Sequence, residues 1–490
     1  MKKRLALVLS VVMLLALIAI PASAAGFPDP GVGTTYTELV NKEAAAASAS
    51  VMYYNTSGGT IAGPNRTIPS NGSIMIDPDS TQLPQNFAGS AVVSSNKRLA
   101  SVVNTVWTGG PGDAYQMGLY SGVSAGSSKI CFPSLWKYDV SGNAIISSFA
   151  VQNTGTSSVN VDITYTGRDG VVAMNDSDTI PAGAQHTYDL ATSPNLPSNW
   201  QGSVQVAVNG SGSIAGVGVA TWAGPDPDTA RSATYNAADC SGASGPTTLV
   251  APTHYRVRPG GGWILWSAVN VQNLSGNTAT LTLTYTARDG DPAPLVLTTT
   301  IPPNATVGAN TRNGGNFPAS AFDPLNSDEW WDGSVKIEVS EPAVATVISQ
   351  WNRDGKVEAG VYAAADVSAG ATKVFAPGLK RITSGSWENW SAVIVQNLGT
   401  GAADVTVDFY DRSGTKLLSF PNDSIAPGAA LGYNTRNGGS KPAGDFNVLG
   451  NAYEGHAVVT SNNGQPLAVV VNGVSGIPDG GSGTTNGIAE

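Results

Sequence analysis

The residues with most chemistry to offer in this chain are three histidines, two cysteines, a set of tryptophan pairs and a six-residue polar string that occurs twice. His186, His254 and His456 stand far apart, and no GxSxG, HExxH or P-loop string accompanies them. Nucleophilic and metal-assisted catalysis both need partners within hydrogen-bond reach, so the expectation is a protein that is not an enzyme. Close acids occur in "DSDT" from Asp176 and "SDEWWDG" from Ser327, but in turn-rich strings that read as solvated loops rather than a glycosidase pair. Asp77 and Asp79 in "DPDS", with Asp226 and Asp228 in "GPDPDTAR", are the best calcium candidates. A calcium site wants about six to eight oxygens, and these strings offer two or three. Asp, Pro and Gly also make tight turns, so no cofactor is expected, with calcium the alternative.

Binding chemistry is richer. Trp263 and Trp387 lie ten residues before Asn273 and Asn397, and Trp266 and Trp390 lie seven before them. Trp266 and Trp390 fall in register with an apolar run and read as packing, whereas Trp263, Trp387 and Trp330 lie near turns. An exposed indole is a flat apolar platform with one polar edge, suited to stacking on sugars. "NTRNGG" stands at 310–315 and again at 434–439. Its Asn suits an Asx-turn and its glycines suit positive φ, so the string reads first as a duplicated turn. Arg312 and Arg436 within it could present a guanidinium fork to a carboxylate or a sugar.

The elements that must carry these residues repeat four times. Anchored on Asn41, Asn153, Asn273 and Asn397, every copy has a Gly seventeen residues later, at Gly58, Gly170, Gly290 and Gly414. An "IP"-type turn follows, then an aromatic two residues before another Gly (Phe87/Gly89, Trp200/Gly202, Trp331/Gly333, Tyr453/Gly455), then an Ala-centred apolar run. Inside each copy the apolar period is two, as in "ATLTLTYTA" and "ADVTVDFYD", which is the pattern of half-buried strands. Short strands between Gly, Pro and Asn turns predict an all-β chain of four tandem immunoglobulin-like antiparallel β-sandwich domains. The boundaries read as 25–122, 128–240, 247–366 and 372–476, with 477–490 a flexible tail. Short Gly/Ser/Ala linkers predict a rod with limited bending.

Residues 1–24 join a basic start, "MKKR", to an apolar run and "PASA", the pattern of a secretory signal peptide cleaved near Ala24. A secreted or cell-surface location is expected, with no transmembrane segment in the mature protein. Two cysteines in an exported chain usually pair, and Cys131 and Cys240 flank the second repeat. The formal charge is −10 and becomes −13 once Lys2, Lys3 and Arg4 are removed, which opposes nucleic-acid binding. Asn-x-Ser/Thr sequons such as Asn55, Asn65, Asn71, Asn304 and Asn389 are potential glycan acceptors.

The string "VIVQNLGTGAADVTVDFYDRSG", with "SIAPGAA" after it, resembles the bacterial cell-adhesion-related repeats called CARDB, and immunoglobulin-like surface modules more widely. The resemblance covers the first half of each repeat. It implies a non-catalytic, exported structural or adhesive cell-surface protein, with envelope polysaccharide or other surface proteins as partners. The alternative is a secreted carbohydrate-binding protein using the tryptophans of repeats three and four. Open sandwich edges leave self-assembly by strand addition as a further option.

Overall fold

The computed structural model describes residues 11–17, 31–77, 83–109, 116–140, 143–223, 231–325, 329–353, 356–384, 386–475 and 481–490. Within these the chain is built almost wholly of antiparallel strands in tandem sandwich units. The predicted alternation is met: Leu281, Leu283 and Tyr285 of Ala279–Ala287 are fully buried, as are Val405, Val407 and Phe409 of Ala403–Asp411, while the threonines between the first set face outward. Burying each such side chain contributes about 1.5–3 kcal/mol.

Unit two shows the plan. Its eight main strands run Lys129–Val140, Asn143–Asn153, Val159–Gly167, Val172–Ile180, Gln185–Asp189, Trp200–Asn209, Ile214–Ala223 and Arg231–Asn236. The fourth, third, sixth and first strands form one layer, and the fifth, second, seventh and eighth form the other. The first and second strands are also joined as a hairpin at one corner. A short ninth strand, Ala238–Asp239, returns beside the first.

The repeated residues have physical reasons. Each anchor asparagine is fully buried, and its Nδ2 donates to two turns at once. For Asn153 these are the Ser157 carbonyl at 2.8 Å and the Ile180 carbonyl at 2.9 Å; for Asn397 they are Gly401 at 2.8 Å and Ile425 at 2.8 Å. The side chain thus ties the second-to-third turn to the end of the fourth strand. Gly58, Gly170, Gly290 and Gly414 have φ between +84° and +87°, a left-handed turn conformation that other residues enter only with strain. The second recurrent glycine lets the sixth strand approach the third, since a Cβ at Gly202 would lie 2.0 Å from the Thr166 carbonyl oxygen and one at Gly455 2.0 Å from that of Tyr410.

Cys131 and Cys240 form the expected disulfide, pinning the first strand of unit two to the chain just past the ninth. It closes a separation of 109 residues. A Cys131→Ser/Cys240→Ser variant is expected to lose about 4–5 kcal/mol of unit-two stability in denaturant unfolding, on the chain-entropy account. A loss below about 1 kcal/mol would show that neighbouring units already restrain the reduced chain.

Two expectations are corrected. Residues 481–490 are not a loose tail: Gly481–Asn486 is the eighth strand of unit four and Ile488–Ala489 its ninth. Nor do the units form a rod. Their eighth strands, Gln116–Ser121, Arg231–Asn236, Lys356–Ala363 and Gly481–Asn486, pack against one another around a common centre. Small residues permit this, since a Cβ at Gly118 would lie 2.6 Å from Thr234 Oγ1 and one at Gly360 2.2 Å from Thr484 Oγ1. Unit four meets unit one through Lys42 Nζ to the Ala489 carbonyl at 2.6 Å, Arg412 to Glu38 at 3.4 Å and Ser121 Oγ to the Asn486 carbonyl at 2.8 Å. The ring is therefore closed. The turn after each third strand reaches the next unit: the Arg168 carbonyl accepts from Thr306 N at 3.1 Å, and the Arg412 carbonyl from Ser73 N at 3.0 Å.

Candidate ligand-binding cleft

The duplicated hexapeptide is the same piece of architecture in both copies. Asn310 Oδ1 accepts from Arg312 N at 2.8 Å and Asn434 Oδ1 from Arg436 N at 2.8 Å, the Asx-turn expected. Thr311 and Thr435 are buried, and their hydroxyls donate to the Tyr255 and Lys380 carbonyls at 2.7 Å each. Gly314, Gly315, Gly438 and Gly439 all have positive φ. The exposed arginines are thereby aimed at the recurrent indoles: Arg312 lies 4.5 Å from the Trp266 ring centroid and Arg436 4.4 Å from that of Trp390. Cation–π pairs of this kind contribute about 0.5–2 kcal/mol, depending on desolvation.

These Arg–Trp pairs sit where one unit meets the next. At the junction of units two and three, Arg231 of unit two also packs on Trp266, at 5.8 Å. Burial, then the nearby Arg312 charge, lowers the Arg231 pKa to about 10. At the junction of units three and four the residue matching Arg231 is Glu358, and a cleft of about 620 Å³ opens. Unit three gives it Tyr255, Arg288, Trp330, Asp332 and Trp351; unit four gives it Trp390, Asn434, Arg436, Asn437 and Asn472. Trp330 is 61% exposed, while Trp351 is half-buried and Trp390 buried. Arg288 Nε donates to Asp332 Oδ2 at 2.6 Å, and Asn472 Nδ2 to Tyr255 Oη at 3.4 Å. Burial raises the Tyr255 pKa, although the Arg288 charge opposes this, so the phenol stays protonated.

The junction of units four and one has a cleft of about 560 Å³ in a related place, but Thr34 stands where Trp390 does, and no tryptophan lines it. The aromatic lining thus belongs to the junction of units three and four.

Of the residues singled out in the sequence, Arg436 and Trp330 line the cleft. Trp263 and Trp387 do not. They are half-buried at the first-to-second strand corner, with Arg256 5.3 Å from the Trp263 ring and Arg381 5.1 Å from the Trp387 ring. Arg312 belongs to the preceding junction. Trp390, which the sequence presents as packing, is a wall of the cleft, and so is Trp351, which the sequence did not single out. Trp390 sits on a strand whose outer face meets unit three, whereas Trp351 packs on Tyr255 of its own unit at the mouth of the cleft, and one repeat in isolation reveals neither as part of an opening. Asp79, Asp226 and Asp228 lie outside the described residues. Among the described residues no group of three or more His, Cys, Asp or Glu side chains is placed to hold a metal ion, and no helix is long and apolar enough to cross a membrane.

No family model matches the chain, and no curated protein matches it. Among solved structures it is similar to Thermotoga maritima 1070, with 17% identity and a TM-score of 0.21 over 24% of this chain and 97% of that one. It is also similar to the C-terminal domain of the Streptococcus pyogenes antigen I/II-family protein AspA, with 9% identity and a TM-score of 0.10 over 50% of this chain and 99% of that one. Dimeric latent PorU from Porphyromonas gingivalis matches with 9% identity and a TM-score of 0.10, over 80% of this chain and 32% of that one.

Proposed function

We propose that this is an exported, non-catalytic carbohydrate-binding protein of the cell surface, whose ring of sandwiches holds one aromatic cleft between units three and four. The observation that carries this reading is Trp330, Trp351 and Trp390 around one opening, with Arg288–Asp332, Arg436 and Asn434 on its rim. Flat indoles stack on the apolar C–H faces of a sugar, while guanidinium, carboxylate and amide groups bond its hydroxyls. A concave site with few, fixed polar groups is the usual form of a selective binding pocket. Adhesion to envelope polysaccharide is then the biological role that fits best.

The test is co-sedimentation of residues 25–490 with purified cell envelope and insoluble polysaccharides. Trp330→Ala and Arg436→Ala are expected to weaken saturable binding at least tenfold, since loss of one stacking or hydrogen-bonding side chain covered by the ligand costs about 1.4 kcal/mol or more. Trp263→Ala and Trp387→Ala, outside the cleft, are expected to bind within about twofold of the parent. Equal loss in all four variants, or no binding by folded protein, would remove the cleft from the account. A scaffold that works through protein partners would then be the better reading.

A further inference from the structure

In units two, three and four the edge of the sixth strand is covered by the unit's own first strand: Lys129–Val140, Thr247–Val257 and Lys373–Thr383. Each of these first strands carries a register shift at a proline followed by a small residue. The strings are Phe132-Pro133-Ser134-Leu135, Ala251-Pro252-Thr253-His254 and Ala376-Pro377-Gly378-Leu379. In unit one the same edge, Gly89–Ser95, is covered by Val11–Leu17, in straight register from Val11↔Ser95 to Leu17↔Gly89. That segment lies in the apolar run read as the core of a cleaved leader.

A buried hydroxyl marks what is missing. Tyr235 Oη donates to the Ser134 carbonyl at 2.9 Å, and Tyr362 Oη to the Thr253 carbonyl at 2.9 Å, each at the bulge of the first strand. Tyr120 holds the same place in unit one, opposite Val103 as Tyr362 is opposite Val347. It is 1% exposed, and among the described residues its Oη has no hydrogen-bond partner. Buried hydroxyls are rarely left unpaired, and its two counterparts are paired with the proline bulge that the straight Val11–Leu17 strand does not form.

Once the leader is removed, the residues ahead of Asn41 cannot supply that element. In units two to four the bulge proline precedes the anchor asparagine by 20, 21 and 20 residues (153 − 133, 273 − 252 and 397 − 377). Only sixteen residues, 25–40, precede Asn41 once the leader is removed, so the string cannot be placed ahead of Asn41 at that spacing. The Ile488–Ala489 strand is already paired with the first strand of unit four.

We infer that unit one of the processed protein is a strand acceptor. It takes in trans an extended apolar segment of another polypeptide, antiparallel to Gly89–Ser95, with an apolar–Pro–small–apolar bulge whose carbonyl accepts from Tyr120 Oη. This inference rests on the exported, processed reading. The occupant does more than add backbone hydrogen bonds to an open edge. First strands pack on the second and seventh strands of the following unit, so it also completes the junction between units one and two.

Mass spectrometry of protein recovered from culture medium comes first. An N-terminus at Ala25 is expected. A retained leader would overturn the processed reading itself and, with the slot filled in cis, this inference too. Residues 25–490 are then titrated with a labelled peptide of residues 128–139 carrying Cys131→Ser, with a scrambled peptide beside it. The result expected is saturable 1:1 binding of the first peptide alone, with slowed amide exchange along Gly89–Ser95. Tyr120→Phe should weaken it about three- to tenfold, the usual effect of losing one hydrogen bond. No binding by folded protein would overturn the inference, as would amides along Gly89–Ser95 already protected in a monomer without peptide. Protection that accompanies a stable dimer in light scattering would overturn it in favour of a second copy as the occupant.

Discussion

Small-angle scattering from residues 25–490 should give a radius of gyration of about 23 Å, the value for a compact chain of that length. Four units of roughly 35 Å strung as a rod would span about 140 Å and give about 40 Å. The difference comes from the centre of the molecule. The four eighth strands meet there, and each unit's chain turns back toward that centre before the next begins. Bonds across the seam between units four and one are specific: Lys42 to the Ala489 carbonyl, Arg98 to Glu490, and Arg412 to Glu38. Salt bridges at exposed positions add little each, so the close fit of the small eighth-strand residues and the apolar cluster of Val40, Ala100 and Phe375 across the seam are the main closing forces. A chain ending at Ser475 lacks the eighth strand of unit four. It should lose the seam and scatter with a clearly larger radius. A radius near 40 Å for the intact protein would restore the rod.

Acidification from pH 7 to pH 5 should destabilise the protein through two buried histidines. His254 and His456 are both fully buried, and among the described residues neither ring has a hydrogen-bond partner at either nitrogen. His254 lies against Tyr285 and Trp331, with ring centroids 5.4 Å and 6.5 Å away, and His456 stacks on Tyr410 at 5.3 Å. Burial without a partner favours the neutral ring, pushing the pKa down to about 3 for His254 and to about 4 for His456. Both folded values lie below the unfolded value of about 6.5, so the stabilising contribution is complete above pH 6.5 and is lost as pH falls toward the folded values. The slope is about 1.4 kcal/mol per pH unit for each histidine, or about 2 kcal/mol each by pH 5. The repeat itself suggests the variants: Leu379 stands in unit four where His254 stands in unit three, and Ser334 where His456 stands. Denaturant midpoints of His254→Leu and His456→Ser should be flatter between pH 7 and pH 5 than those of the parent, whatever their value at pH 7. Parallel curves for parent and variants would show that these rings do not govern the acid response.

Much of the local structure could be read directly. Period-two strings such as "ATLTLTYTA" became strands with the predicted inner face, because alternation is imposed by the backbone of each strand alone. The Asx-turns at Asn310 and Asn434 and the left-handed glycines are likewise local conformational demands. The disulfide followed from two cysteines flanking one repeat.

The errors have a common origin. The Gly-rich 481–486 string looks like a linker because its residues have little to bury. Those small side chains are what four strands need to meet at one centre. Trp390 looks like core because it lies in an apolar run, yet it lines the cleft toward the neighbouring unit. So the sequence by itself determined the repeat, the strand faces, the turns and the disulfide, all set by forces acting within one unit. Only the tertiary structure decided that the four units close into a ring, that Arg436 and Trp330 line one cleft across a junction, and that the straight strand Val11–Leu17 covers the sixth strand of unit one. Those outcomes depend on surfaces from different units meeting, and no period or motif within a single repeat encodes which surfaces meet.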